Sequence, residues 1–227
     1  MTFKNRMHEL GLKFGTDKIS VHKYHETYPL YLERFENHTG SMIEVGLLEG
    51  ASLKMWLNLF PKMHIYGLDI NPKELVNRGQ RYTIIKADQS IEEDLTRATS
   101  LIEGPVNFIC DDGSHIPEHQ LLTFNKLFPL LEVGGVYIIE DIETSYWSQG
   151  GLYGYKTAYG VGHPHSIVEI FKSATEGVNY LYSGMTHGLL KHQEYFHSVT
   201  FAKNSIIIIK RDKENGSYHY KDFTSRK

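Results

Sequence analysis

The sequence has a single cysteine, Cys110, in 227 residues, so no internal disulfide can staple the fold. Its place in the apolar run "VNFIC" reads as a small core residue rather than a nucleophile. No run approaches the roughly 18 apolar residues of a membrane span. Neither sign of charge dominates: 24 Lys and Arg against 27 Asp and Glu leave a formal net charge of −3. That excludes the basic stripe of a nucleic-acid binder and the polybasic segment of a membrane-surface protein. The opening stretch "MTFKNRMHELGLKFGTDK" lacks the apolar core of a signal peptide, so the expectation is a soluble, cytoplasmic chain. Internal repeats, low-complexity tracts and a clear linker are missing as well. One domain over 1–227 is expected, long enough to bury about 70–75% of its unfolded surface.

What is present is alternation. "SMIEVG" (41–46), "HIYGLD" (64–69), "YTIIKAD" (82–88), "VNFICD" (106–111) and "GVYIIED" (135–141) read as strands. Between them "SLKMWLNLF", "PKELVNRG", "IEEDLTRATSLI" and "EHQLLTFNKLFPLL" carry helical spacing. Strand–helix alternation predicts a doubly wound α/β fold, a parallel sheet covered on both faces. After a helix over "HSIVEIFKSATEGVNYL", the runs "YFHSVTFA" and "NSIIIIK" are separated by Lys203 and Asn204 alone, a link so short that they must form an antiparallel hairpin. The prediction is therefore a mostly parallel seven-stranded sheet ending in that hairpin. Ligands of such sheets sit beyond the carboxyl ends of the strands.

Several strand ends carry chemistry. "IEVGLLEGASL" places Glu44 near the first, with Gly46 and Gly50 free to turn tightly against a ligand and Ser52 as N-cap of the next helix. The dinucleotide pattern G-x-G-x-x-G is absent here, which weakens a nicotinamide reading. Asp69, 19 residues beyond Gly50, ends the second strand where a carboxylate can accept ribose hydroxyls. Asp88 and Gln89 end the third, suited to an adenine edge. Each alone is a common strand cap; three at successive strand ends favour a nucleoside site.

The fourth strand ends in "DDGSH" and the fifth in "IIEDIE". Neighbouring strands lie about 4.8 Å apart, so these tips can converge, and carboxylates that close raise one another's pKa. A hard divalent cation, Mg²⁺ or Mn²⁺, removes the conflict among Asp112, Glu140 and Asp141. Asp111 either faces the cofactor or caps its strand. His115 is open to three roles: fourth ligand, surface histidine, or general base. Lys18, His22 and Tyr24, in a 1–40 cap segment, either fold over the cofactor or belong to a helix covering the sheet edge. Residues 145–165 fit neither period and hold Tyr146, Trp147, Tyr153, Tyr155 and Tyr159 among five glycines; they are either a floppy surface insertion or, as the aromatics favour, a substrate lid.

Together "GTDK", "EVGLLEGASLKMW", "GLDI", "DDGSH", "IIEDIETSYW" and "HSVTFAKNSIIIIK" resemble the class I S-adenosylmethionine-dependent methyltransferases, which have a Rossmann-like fold. Within that class the chain is similar to the metal-dependent macrolide sugar O-methyltransferases of the mycinamicin and tylosin type, over nearly its whole length. The resemblance implies Asp112, Glu140 and Asp141 as metal ligands, His115 as base, and Glu44, Gly46, Asp69 and Asp88 as holders of S-adenosylmethionine. It also implies a small hydroxylated acceptor, a sugar, with a homo-oligomer allowed. The additional N-terminal domain of some macrolide enzymes has no counterpart in these residues. A catechol or other vicinal diol as acceptor, an NAD-dependent oxidoreductase and a non-catalytic nucleoside-binding protein are the competing readings.

Overall fold

The computed structural model describes residues 1–72, 81–150, 154, 156–186 and 188–213. Its centre is a seven-stranded sheet in the order β3-β2-β1-β4-β5-β7-β6. The strands are β1 (Gly40–Val45), β2 (Met63–Asp69), β3 (Tyr82–Lys86), β4 (Val106–Asp111), β5 (Leu131–Glu140), β6 (Phe196–Ala202) and β7 (Ser205–Lys210). The first five pair in parallel, while β7 runs antiparallel to both β5 and β6. This is the predicted architecture, including the hairpin closed by Lys203 and Asn204.

Side chains alternate across a strand, so each strand feeds two cores. Ile43, Val45, Ile109, Tyr137, Ile139, Ile206 and Ile208 pack on one face with Phe124, Leu127 and Phe171. Met42, Phe108, Cys110, Val136, Ile138 and Ile207 pack on the other with Trp56, Tyr24, Tyr28 and Phe3. Burial on both faces explains why these strands read as continuous apolar runs rather than as alternating ones.

The same parity sorts the polar strand ends. Glu44 pairs in register with Cys110, which pairs with Ile138, two residues before Glu140. Glu44, Cys110 and Glu140 therefore project to the face covered by the N-terminal segment, and Asp112 continues that row. Asp111 projects to the opposite face, with Tyr137 and Ile139.

Helices Ala51–Leu59, Glu92–Ser100 and Pro117–Leu127 follow β1, β3 and β4 as expected. Most of the predicted "PKELVNRG" helix lies outside the described residues, as do Tyr153 and Tyr155 of the predicted lid. Two local expectations need correction. The residues expected to form one helix from His165 to Leu181 form three short ones, Ile167–Lys172, Thr175–Val178 and Tyr180–Ser183. Ser166 caps the first, and Asn179, at φ −101° and ψ 25°, breaks the path between the last two. Ser52 is not an N-cap either: Gly50, at φ +73°, fills that position, and Ser52 lies in the first turn.

Candidate active site

A cleft opens over the carboxyl ends of the parallel strands. Gly46, Asp69, Ile70 and Gly113 line it throughout; one end is closed by Asp88 and Gln89, the other by Asp112, His115 and Asp141. Gly46 makes the cleft possible. Its φ is +82°, and a Cβ there would stand 2.1 Å from the carbonyl oxygen of Asp112. Only glycine lets the two loops pass that closely. Asp69 braces the same turn, its two oxygens accepting the backbone N–H groups of Leu47 at 2.8 Å and Asn71 at 2.7 Å. Asp88 accepts the N–H and hydroxyl of Ser90 at 2.8 and 2.6 Å.

Three other residues expected at the cofactor are used inside the protein. Glu44 is buried and accepts the Trp56 indole N–H at 2.9 Å. Burial pushes its carboxyl up to about 7. Asp111 is also buried and raised to about 7 by its desolvation, which the Gln89 amide, donating at 2.9 Å, only partly offsets. Gln89 itself is fully engaged: its amide also donates to Thr123 at 3.0 Å, and its oxygen accepts the Ser114 N–H at 2.6 Å. It shapes the cleft wall by holding the "DDGSH" loop.

At the other end, Asp112, His115 and Asp141 each offer a ligand atom, and these atoms lie within 4.8 Å of one another. His115 Nε2 is 3.8 Å from Asp141 Oδ2. Oxygen or nitrogen ligands about 2.1 Å from a Mg²⁺ ion stand roughly 3–4 Å apart, so this donor set suits a hard divalent cation after a small contraction. Both loop residues sit in the left-handed region, His115 at φ +55° and Asp141 at φ +52°. Such strain, about 1–3 kcal/mol per residue, persists where the surroundings impose it. Here the surroundings are explicit. Thr144 donates to the His115 carbonyl at 2.6 Å, and the Gln120 amide donates to the Glu140 carbonyl at 2.9 Å, tying the loops after β4 and β5 together. Burial raises the Asp141 carboxyl, and the neighbouring Asp112 charge adds to that.

Glu140 does not join this group. It is 1% exposed and turned inward, accepting the Tyr28 hydroxyl at 2.7 Å, the Cys110 thiol at 2.8 Å and the Lys18 ammonium at 2.7 Å. Lys18 is the feature that sequence reasoning left undecided. Its ammonium is buried between Asp112 Oδ2 at 2.5 Å and Glu140 Oε2 at 2.7 Å, with Glu44 at 3.8 Å. Burial alone would lower its pKa; Asp112 and Glu140 outweigh that and raise it well above the ordinary 10.5. The N-terminal segment packs on one sheet face through Phe3, Ile19, Tyr24 and Tyr28, and its Gly15, Thr16 and Asp17 line the acidic end of the cleft. It packs under the strand tips and delivers a fixed cation. Tyr24 and Tyr28 stack at 4.8 Å, and the Tyr24 hydroxyl reaches Asp141 Oδ1 at 3.0 Å. The signal in the sequence was "GTDK" itself, which places a lysine in the short helix Asp17–Ser20 just after a glycine turn.

The sheet order and the cleft are those of the class I methyltransferase fold. No family model matches the chain, but individual relatives do. It is 34% identical over 168 residues to 8-demethyl-8-alpha-L-rhamnosyl tetracenomycin-C 2'-O-methyltransferase of Streptomyces olivaceus, covering 70% of this chain and 44% of that protein. It is 36% identical over 152 residues to mycinamicin VI 2''-O-methyltransferase of Micromonospora griseorubida, covering 63% of this chain and 38% of that one. The MycE methyltransferase of the mycinamycin pathway, solved with Mg and SAH, superposes with a TM-score of 0.80 at 28% identity over 96% of this chain and 58% of its own. The same enzyme with mycinamycin VI also bound gives 0.77 at 29% identity, over 92% and 56%. The chain therefore has the class I S-adenosylmethionine-dependent methyltransferase fold and is a relative of the sugar O-methyltransferases of antibiotic pathways. It spans less than half the length of these two curated relatives.

Proposed function

We propose that the protein is a metal-dependent O-methyltransferase that moves the methyl group of S-adenosylmethionine to a hydroxyl of a sugar or glycosylated natural product. It would act in the cytoplasm, where that donor is made. The observation that carries the reading is the single cleft from Asp88 past Gly46 and Asp69 to Asp112, His115 and Asp141, in a relative of sugar O-methyltransferases. The nucleoside end suits the donor, with Asp69 on the ribose and Asp88 beside the base. The acidic end suits a divalent ion held by Asp112 and Asp141.

A sugar hydroxyl is barely ionised at neutral pH, and a bound Mg²⁺ would supply the charge that favours its alkoxide. His115, beside the ion held by Asp112 and Asp141, would take the hydroxyl proton. As the oxygen–methyl bond forms, the sulfur–methyl bond breaks in line, and S-adenosylhomocysteine leaves with the sulfonium charge cancelled. The protein's main contribution is alignment, through the tied loops after β4 and β5. Glu140, held by Lys18, would set the geometry of Asp112 from behind. The lid would cover the acceptor: among its described residues, Gly160 donates to the Trp147 carbonyl at 3.0 Å and the Tyr159 hydroxyl bonds Glu118 of the adjoining helix.

The test is mass spectrometry of a glycoside panel with S-adenosylmethionine, with Mg²⁺ or with EDTA, using wild type, Asp112→Asn and His115→Ala. A methylated product lost with EDTA and in both variants is expected. Methyl transfer indifferent to EDTA and to Asp112→Asn would sink the metal reading.

A further inference from the structure

The tip of the β6–β7 hairpin reads as an ordinary two-residue turn, yet it reaches the acidic end of the cleft. Glu140 on β5 pairs antiparallel with Ser205 on β7, so the register sets Asn204 beside Asp141. Its side-chain nitrogen donates to Asp141 Oδ1 at 2.9 Å, and its side-chain oxygen accepts the Glu143 N–H at 3.0 Å. The second bond settles which way the amide faces: a backbone N–H can only donate, so the oxygen must point at Glu143 and the NH₂ at the carboxylate. One side chain thus grips the loop after β5 at two points.

The Tyr24 hydroxyl completes the arrangement, donating to Asp141 Oδ1 at 3.0 Å and lying 3.1 Å from the Asn204 carbonyl. Oδ1 therefore accepts from both side chains, with His22 Nδ1 3.5 Å from it and 3.4 Å from the Asn204 nitrogen. Oδ2 is the oxygen left facing His115, at 3.8 Å. Asp141 sits at φ +52° between the end of β5 and the short helix Ile142–Tyr146, past the strand parity that would fix its side chain.

We propose that Asn204 is a positioning residue: by holding Asp141 Oδ1 and the Glu143 backbone, it aims Asp141 Oδ2 toward His115 and Asp112, where a divalent cation would be held. The inference rests on the metal reading above and adds to it a residue that touches neither ion nor substrate.

The plain alternative is that Asn204 serves the turn alone. Its φ is +53°, a conformation that asparagine tolerates better than most residues. Asn204→Gly separates the two, because glycine keeps the turn and removes the amide. Lys203→Gly alters the same turn without touching Asp141, and Tyr24→Phe removes the other donor on Oδ1.

The experiment is calorimetric titration of the full chain with Mn²⁺, alongside thermal melting without metal and titration with S-adenosylhomocysteine. Wild type is expected to bind Mn²⁺. Asn204→Gly should bind it at least tenfold more weakly, with melting temperature and S-adenosylhomocysteine affinity near wild type. Tyr24→Phe should weaken Mn²⁺ in the same direction, and Lys203→Gly should leave it unchanged. Wild-type Mn²⁺ affinity in Asn204→Gly overturns the inference while leaving the metal reading standing. So does an equal loss of Mn²⁺ affinity in Lys203→Gly, since the turn would then be what matters. A wild-type chain that takes up no Mn²⁺ overturns the metal reading, and this inference with it.

Discussion

Replacing Lys18 by methionine removes a charge while keeping most of the side-chain volume. The ammonium is 1% exposed and lies within 2.7 Å of both Glu140 and Asp112, so its loss strands the buried Glu140 carboxylate where water cannot reach it. Removing one partner of a buried ion pair costs about 3–5 kcal/mol. In a domain of this size each kcal/mol lowers the melting temperature by about 2–4 °C, which places Lys18→Met roughly 6–20 °C below wild type. The penalty should also depend on pH with a definite sign. Burial raises the Glu140 and Glu44 carboxyls even with the lysine present, and without it they rise further. A carboxyl whose folded pKa exceeds its unfolded value near 4.3 destabilises most above the folded pKa, and the cost fades as pH falls toward the unfolded one. Thermal melts at pH 5 and pH 8 should therefore show the smaller deficit at the first and the larger at the second. Adding Glu140→Gln to Lys18→Met should recover part of the pH 8 loss. A variant that melts within about 2 °C of wild type at pH 8, or a deficit that grows toward pH 5, would refute the claim that Lys18 neutralises this cluster.

Three further perturbations follow from the same geometry. Gly46→Ala puts a Cβ 2.1 Å from the Asp112 carbonyl oxygen at φ +82°, where backbone cannot yield cheaply. It should cost about 1–3 kcal/mol in a urea melt and weaken S-adenosylhomocysteine at least tenfold by calorimetry. Asp111, buried and raised from 3.8 to about 7, holds its proton in the native state across that interval. Wild type should therefore lose up to about 4 kcal/mol as pH rises from 4 to 7, and Asp111→Asn, which keeps an acceptor for Gln89, should flatten that profile in denaturant titrations. Asp69→Ala takes the acceptor from the Leu47 and Asn71 N–H groups that brace the glycine turn. Its clearest expected effect is at least a tenfold loss of S-adenosylhomocysteine affinity with only a modest change in melting temperature.

What the sequence made legible, and what it hid, separate along one physical line. Strand ends, the glycine turn and the hairpin are local. Apolar period, φ-permissive residues and a two-residue link determine them, and the carboxyl ends of the five parallel strands fall within two residues of where they were expected. The helix expected from His165 to Leu181 failed locally too, because Asn179 leaves the helical path where apolar spacing alone suggested continuity. The assignment of carboxylates is not local. "DDGSH" shows two adjacent aspartates of equal chemistry, and only sheet register sends Asp111 into one core and Asp112 toward the cleft. "IIED" poses the same ambiguity, with a different outcome for each residue. Glu140 keeps the inward parity of Ile138 and meets Lys18, 122 residues away in the chain. Asp141, past the strand and at φ +52°, escapes that parity and turns to His115. A charge motif at a strand end thus specifies that a cation is needed without specifying which one. Here the chain itself supplies one cation, Lys18, to the inner carboxylates. What remains for a dissolved ion is the outer pair, Asp112 and Asp141 beside His115; Asp112 touches both cations, so the Lys18→Met melts and the Mn²⁺ titrations read the two sides of one shared carboxylate.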